Sequence, residues 1–528
     1  MTTTPAPPTA EQAGQMTHRQ VLEALTGLLL AMFVAMLSST VVSNALPVIV
    51  ADLEGSQTGY TWVVVATLLT MTATTPIWGK FADLFDQKTL VQVALVIFSV
   101  GSLLAGLAPS MEVLIGARAV QGLGVGGLTA LVQVVIAGMV SPRERGRYAG
   151  YIGSVFALST VSGPLIGGVL VDTLGWRWCF FVGLPVALAA FVVLQKTLKL
   201  PRQPRREVHV DYLGATVIMA GVSLLLIWVS LAGSQFAWTS ATSAALVAAG
   251  LVLVAAAVFI EIRVAREPII PMRLFRDRTT ALATAASVMV GVAMFGSTVY
   301  LSQYFQLARG MSPTRAGLMS IAMVGGLLVS SIISGRIISE TGRWKRFLVA
   351  GMVSVIAGLA LLSTIDETTS LVWVGLFMAV LGVGIGATMQ NLVLAVQNNT
   401  AMADMGAASS LVAFFRSIGG SAGVSALGAI LAHQVADRVS SGLDKLGISG
   451  GESTGSSVPD MDSLPAPVRQ IFESAFGEAS AHLFLVAVPF AVVALVCVVL
   501  IKEVPLRETV LRADEMTPEL EVEEESGR

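Results

Sequence analysis

Most lysines and arginines fall in every second gap along a succession of about fourteen apolar runs, each near the roughly 20 residues that cross a bilayer as a helix. One set of gaps or run ends holds Lys80 and Lys88; Arg143, Arg145 and Arg147; Lys196, Lys199, Arg202, Arg205 and Arg206; Arg263, Arg266, Arg273, Arg276 and Arg278; and Arg336, Arg343, Lys345 and Arg346. The intervening gaps hold only Arg177, Arg309, Arg315, Arg438, Lys445 and Arg469, while Arg118 and Arg416 fall inside apolar runs. Loops that stay on the cytoplasmic side retain positive charge, so the alternation predicts a multi-pass protein of the cytoplasmic membrane with both termini inside. The fold class expected is all-α, with fourteen transmembrane helices.

Composition excludes the soluble alternatives. With 54% hydrophobic and 12% charged residues over 528 positions, the chain has too little polar surface to coat a water-soluble domain of this size. The first apolar run is long enough to remain as an anchor, and the tail before it lacks the pattern of a cleaved signal. Cys179 and Cys497 fall near opposite faces in this topology, so neither a disulfide nor a metal site is expected. Trp62, Trp176, Trp178, Trp238 and Trp373 cluster at predicted outer ends and Trp78 and Trp344 at inner ends, where amphipathic rings favour the headgroup region. The stretch 434–480, rich in Gly and Ser, reads as an outer loop without helical pattern, and the acidic tail as flexible.

The chain repeats itself at about half its length. Gly79-Lys-Phe-Ala-Asp83 after the second run is echoed by Gly335-Arg336 after the tenth, and Gly122-Leu-Gly124-Val-Gly126 in the fourth by Gly382-Val-Gly384-Ile-Gly386 in the twelfth. Two like-oriented halves separated by two additional helices account for this, and halves of that kind can rock about a central site. The boundaries expected are a tail over 1–20, a six-helix bundle over 21–200, two linker helices over 201–278, a second bundle over 279–502 containing the outer loop 434–480, and a tail over 503–528.

These segments carry a resemblance. With Arg118-Ala-Val-Gln121-Gly122, Gly163-Pro164-Leu-Ile-Gly167-Gly168, Trp176-Arg177-Trp178-Cys-Phe180, Tyr304-Phe-Gln306, Gly310-Met-Ser312-Pro313, Phe414-Phe415-Arg416-Ser-Ile-Gly419-Gly420 and Pro505-Leu-Arg507, the chain resembles the fourteen-helix drug:proton antiporter branch of the major facilitator superfamily over nearly its whole length. The resemblance implies two six-helix bundles and export of lipophilic drugs or metabolites by alternating access, with no enzymatic activity and no cofactor. It assigns Arg118 to proton coupling and the Gly163-Pro164-Gly167-Gly168 motif to antiporters. The residues themselves allow plainer readings. Arg118 stands where a cation costs about 2.5 to 3.5 kcal/mol, so it faces protein or water, either coupling protons or only bonding main-chain carbonyls. Gln121 lies one turn on. Gly163, Pro164, Gly167 and Gly168 form a hinge or a tight packing seam.

Asp83 is either an ordinary solvated loop carboxylate or, as favoured, accepts bonds from a helix N-terminus or a basic side chain and latches one state of a rocking pair. Leu84, Asp86 and Gln87 depart from the family pattern there. A larger departure is Ser38, where the family usually carries Asp, and none of the 34 acidic residues lies well inside a run. The proton carrier is then an end-placed acid such as Glu112, Asp172 or Glu23, or His433 or His482, or the coupling is unlike the family's. Without a central acid, neutral lipophilic substrates are favoured over cations. The candidate lining is Met32, Phe33, Met36, Ser38, Met71, Gln121, Met294, Phe295, Gln303, Tyr304, Gln390, Asn391 and Phe415. The partners expected are small lipophilic substrates, protons and membrane lipid, with no nucleic acid, for a monomer. Translocation of a lipid or cell-envelope component is the alternative. No Gly-x-x-x-x-Gly-Lys-Ser/Thr phosphate loop occurs, which argues against an ATP-driven pump.

Overall fold

A computed structural model describes residues 18–54, 57–198, 211–233, 235–445 and 465–507. Fourteen helices in it are long and apolar enough to cross a membrane. The first six are α1 (His18–Asp52), α2 (Gln57–Leu84), α3 (Gln87–Gly106), α4 (Met111–Met139), α5 (Pro142–Thr173) and α6 (Gly183–Thr197, preceded by the single turn Trp178–Phe181). Two more follow, α7 (Tyr212–Leu231) and α8 (Ala241–Arg263). The second bundle comprises α9 (Arg278–Gln303), α10 (Pro313–Thr341), α11 (Lys345–Leu362), α12 (Leu371–Asn399), α13 (Met405–Lys445) and α14 (Ala466–Leu500).

Local chemistry sets many of the ends. Asp86, Ser110, Asp211, Ser240, Asp277 and Ser312 each accept a main-chain N–H of the helix they precede, satisfying a donor that lacks an intrahelical partner. Gly342 ends α10 with φ of 70°, a left-handed conformation that glycine adopts without a Cβ clash.

The sequence repeat is a repeat of packing. In α4 the glycines wedge the helix between α2 and α3, and in α12 their copies wedge it between α10 and α11. A Cβ on Gly124 would lie 2.5 Å from the main-chain nitrogen of Phe98, and one on Gly384 would lie 2.5 Å from that of Val355. The halves meet along two seams that exchange under the repeat, α2 against α13 and α5 against α10. The pair α7–α8 packs on itself and docks through α7 on α2 and α13. One end of the bundle carries Lys80, Arg143, Arg145, Arg273, Arg343 and Lys345, and is called the basic end below.

Two expectations change. Residues 434–445 and 466–480 are helical and extend α13 and α14 into a hairpin past the bundle, leaving 446–464 outside the described residues. Val439, Leu443, Phe472 and Phe476 are buried between them, Gly442 lies against Ile471, and Arg438 pairs with Glu478 at 3.0 Å. Apolar positions too widely spaced to signal a spanning helix suffice once two helices share them. Secondly, Trp78, Trp176 and Trp344 are buried packing residues and not headgroup anchors. Their indole N–H groups donate to Leu123 O, Asp52 Oδ2 and Val504 O respectively. The acidic tail lies outside the described residues.

Candidate functional site

The described hydrogen bonds that join the two halves all lie at the basic end. On the α2/α13 seam, Gly79 and Gly406 allow the backbones to touch, and the Asp83 carboxylate accepts the N–H groups of Gly406 (2.6 Å) and Ala407 (2.9 Å). It therefore caps the first turn of α13 from the other half of the molecule, where the free N–H groups and the helix dipole both favour an anion. Asp83 thus accepts from a helix N-terminus, one of the two kinds of partner expected for it. On the α5/α10 seam, Gly146 and Gly335 touch, Ser339 Oγ donates to Arg143 O at 2.6 Å, and Arg143 donates to the carbonyls of Ser339 and Glu340, both at 3.2 Å.

Between the seams, Gln133 on α4 donates to Gln390 Oε1 on α12 at 3.1 Å, and Arg145 donates to Gln397 Oε1 at 3.1 Å. Arg145 is 5% exposed and also bonds the carbonyls of Val140 and Ala137. A small cavity lies among Gln133, Arg145, Gln390, Asn391 and Gln397. Sequence reasoning took Arg145 for a loop charge and passed over Gln133. The repeat was the available signal, because Gln133 and Gln390 stand at nearly the same offset as the glycine motifs.

Two ion pairs flank the Asp83 cap. Lys80 meets Glu267 at 3.2 Å, and Arg273 meets Asp404 at 2.7 Å, the latter raising the Arg273 pKa. Both Glu267 and Arg273 belong to the segment linking α8 to α9, so the additional helices brace the seam from each side. Residues 501–507 cross the same end: Arg507 O accepts from Arg143 N of the first half, while the Arg507 side chain donates to Gln397 O and Thr400 O of the second.

A separate polar knot ties the first half together. Arg118 is 4% exposed, donates to Val63 O at 3.4 Å and to Gln121 Oε1, and lies 5.9 Å from the Phe180 ring centroid. Gln121 in turn donates to Ser38 Oγ (2.8 Å) and Ser102 Oγ (2.6 Å). Four helices, α1 to α4, meet there. Ser38 is therefore part of this knot, so the family's Asp would stand within one side chain of Arg118, and its replacement leaves that guanidinium without a charged partner.

Other candidates fall elsewhere. Gly163 packs on Thr40 and Gly167 on Val41 of α1, forming a tight seam inside the first half, whereas Gly168 has open space beside it. The Pro164 and Asp172 side chains lie outside the described residues. Glu112 is exposed on the first turn of α4, and Glu23 is exposed and paired with Arg19 at 3.0 Å. His433 meets Asp437 at 3.4 Å and His482 meets Gln434 at 2.5 Å, both at the base of the α13–α14 hairpin. Tyr304 is fully buried with its hydroxyl on Asp366 O at 2.7 Å, and Met32 and Met294 are buried in the core. Phe33, Met36, Met71, Phe295, Gln303 and Phe415 remain partly exposed; Asn391 is buried with its amide on Ala387 O at 2.7 Å.

The sequence profile of the Major Facilitator Superfamily matches residues 28–424. The chain belongs to that superfamily. It is 36% identical to an uncharacterized MFS-type transporter of Mycobacterium tuberculosis over 516 residues, covering 96% of this chain and 74% of that protein. The multidrug transporter protein MdtP of Bacillus subtilis is 34% identical over 86% of this chain and 80% of its own. The efflux pump dotC of Dothistroma septosporum is 33% identical over 92% and 84%. Among solved structures, the human organic anion transporter MFSD10 (TETRAN) superposes with a TM-score of 0.58 at 13% identity, over 89% of this chain and 99% of that one, a likeness of fold. This member of the superfamily is a transporter and not an enzyme.

Proposed function

We propose that this transporter exports lipophilic drugs or metabolites across the cytoplasmic membrane by alternating access, driven by proton antiport. The basic end is read as cytoplasmic, by the retention of positive charge on that side. The conformer described is then closed inward, with Asp83, Ser339 and the Gln133–Gln390 pair holding the halves together. The observation that carries the reading is the Asp83 cap: a single carboxylate bridges the halves at a helix end, and adding a proton to it removes the charge that the α13 dipole stabilises. Protonation thereby weakens the closed state, which ties the opening of the basic end to a proton. Glu112 and Glu23, both solvent-facing at helix ends, offer no comparable link. The efflux and multidrug names of relatives support the direction and the substrate class.

Substrate movement needs no bond to form or break. The lipophilic character follows from the partly exposed Met and Phe side chains and from the scarcity of acids in the spans. The test is reconstitution in liposomes with an imposed pH gradient and a varied panel of compounds. Accumulation of lipophilic compounds that stops when the gradient is collapsed is the expected result. Accumulation that persists removes proton antiport from the mechanism, and exclusive movement of lipid analogues turns the reading to lipid translocation.

A further inference from the structure

Arg118 and Arg145 are buried and answered by carbonyl and amide oxygens. Arg416 is not. It stands 11 residues after Met405 on α13, about 17 Å along a helix whose membrane core is roughly 30 Å thick. Among the described residues its guanidinium has no hydrogen bond, ion pair or ring contact, and it is partly exposed. Neither α9, nor α12, nor α13 from Met405 to Ala436 contains an Asp or Glu to neutralise it. A cation left bare at this depth is costly, so its retention points to a ligand.

The surroundings indicate which ligand. Arg416, Gly420 and Gly423 share one face of α13, spaced by one turn each, and that face docks on α9: Gly291 lies under Arg416 O, and Gly423 faces Val292. On α9, Thr284, Ser287 and Gly291 likewise share a face. The hydroxyls of Thr284 and Ser287 are buried, 3% and 0% exposed, and make no hydrogen bond in the structure. The two helices start together at the basic end, and a helical Cα–Cβ bond tilts toward the helix N-terminus, so Arg416 leaves α13 toward the level of Ser287 and Thr284. A free guanidinium and two unsatisfied hydroxyls therefore lie on the facing sides of α9 and α13, on the basic-end side of the Gly291 contact.

We infer that Arg416, with Thr284 and Ser287, forms a subsite for the acid group of a lipophilic substrate, a carboxylate or phenolate. The guanidinium offers a paired set of donors to a planar anion and the hydroxyls donate to its remaining lone pairs. The substrate class rests on the export reading above; the existence of the subsite does not.

The experiment compares 2-naphthoate with its neutral isostere 2-naphthamide, binding to the purified full chain in lipid nanodiscs at pH 7.5 by titration calorimetry. The wild type is expected to bind the acid about tenfold more tightly than the amide, Arg416→Gln to abolish the difference, and Thr284→Val with Ser287→Ala to weaken the acid alone about threefold. Equal affinities in the wild type, or an undiminished preference in Arg416→Gln, overturn the proposal. Should Arg416→Gln fail to fold, Arg416→Lys carries the assignment, since loss of the paired donors should weaken the acid about fivefold and leave the amide unchanged; an unchanged acid affinity overturns it. Acid preference without transport in liposomes would remove the export reading and leave the subsite standing, and transport without acid preference would do the reverse.

Discussion

The α2/α13 and α5/α10 seams are related by the internal repeat and share the same steric design, yet they are held by different forces. Each begins with a pair of glycines in backbone contact, Gly79 with Gly406 and Gly146 with Gly335. Four residues beyond Gly79 stands the carboxylate of Asp83, on the N–H groups of α13; four beyond Gly335 stands Ser339, whose hydroxyl donates to Arg143 O. One seam is thus fastened by a charge on a helix dipole and the other by neutral acceptors. Two seams of this kind can separate together when the halves rock. On the proposed reading, closure belongs to both copies of the motif and proton control to the first, whose carboxylate is the group that can take up a proton.

Steric substitution should break the likeness between the seams most severely. Gly79→Ala and Gly335→Ala place a Cβ against the main chain of the other half, and overpacking of about 1 to 3 kcal/mol lowers transport about tenfold or more in either variant. The check is export rate, together with faster labelling of a Val393→Cys thiol, in a chain lacking its native cysteines, from the basic end. A large effect at one glycine alone would refute the equivalence of the seams.

Removing the charge should affect one seam only. Asp83→Ala forfeits the two-bond cap and its dipole interaction, about 2 kcal/mol, shifting the closed-to-open ratio about thirtyfold by the same labelling. Ser339→Ala forfeits a single neutral hydrogen bond of about 1 kcal/mol, a shift of about fivefold. If Ser339→Ala matched Asp83→Ala, the electrostatic distinction would fall. The smallest change is expected at the brace: Lys80→Gln breaks the pair with Glu267, an ion pair open to water on one side, and should alter the ratio by about threefold or less. A larger effect would mean that α7 and α8 govern the latch through Glu267.

Much of the fold was legible because lipid imposes simple rules. The basic gaps marked loop ends, the apolar runs marked fourteen helices, and the glycine motifs disclosed the two halves before any packing was known. The Asp83 contact with a helix N-terminus was legible because a carboxylate one turn beyond a glycine at a run end is placed to accept main-chain N–H groups of a closely packed helix. The burial of Arg145 was not, since it depends on Gln397, 252 positions away, nor was that of Tyr304, because the carbonyl that receives its hydroxyl belongs to the distant turn at Asp366. The helical hairpin of α13 and α14 was missed for a related reason, its apolar residues acquiring meaning only when Val439 and Leu443 meet Phe472 and Phe476.

By itself, then, the sequence determined how many times the chain crosses a bilayer, in what alternation, and that its two halves are copies, because hydropathy and charge are additive along a chain. Which polar side chains answer one another was decided by tertiary structure. Pairing depends on distances between helices, so only the assembled bundle distinguishes Arg118 and Arg145, satisfied by carbonyls and amides, from Arg416, left free to meet a ligand.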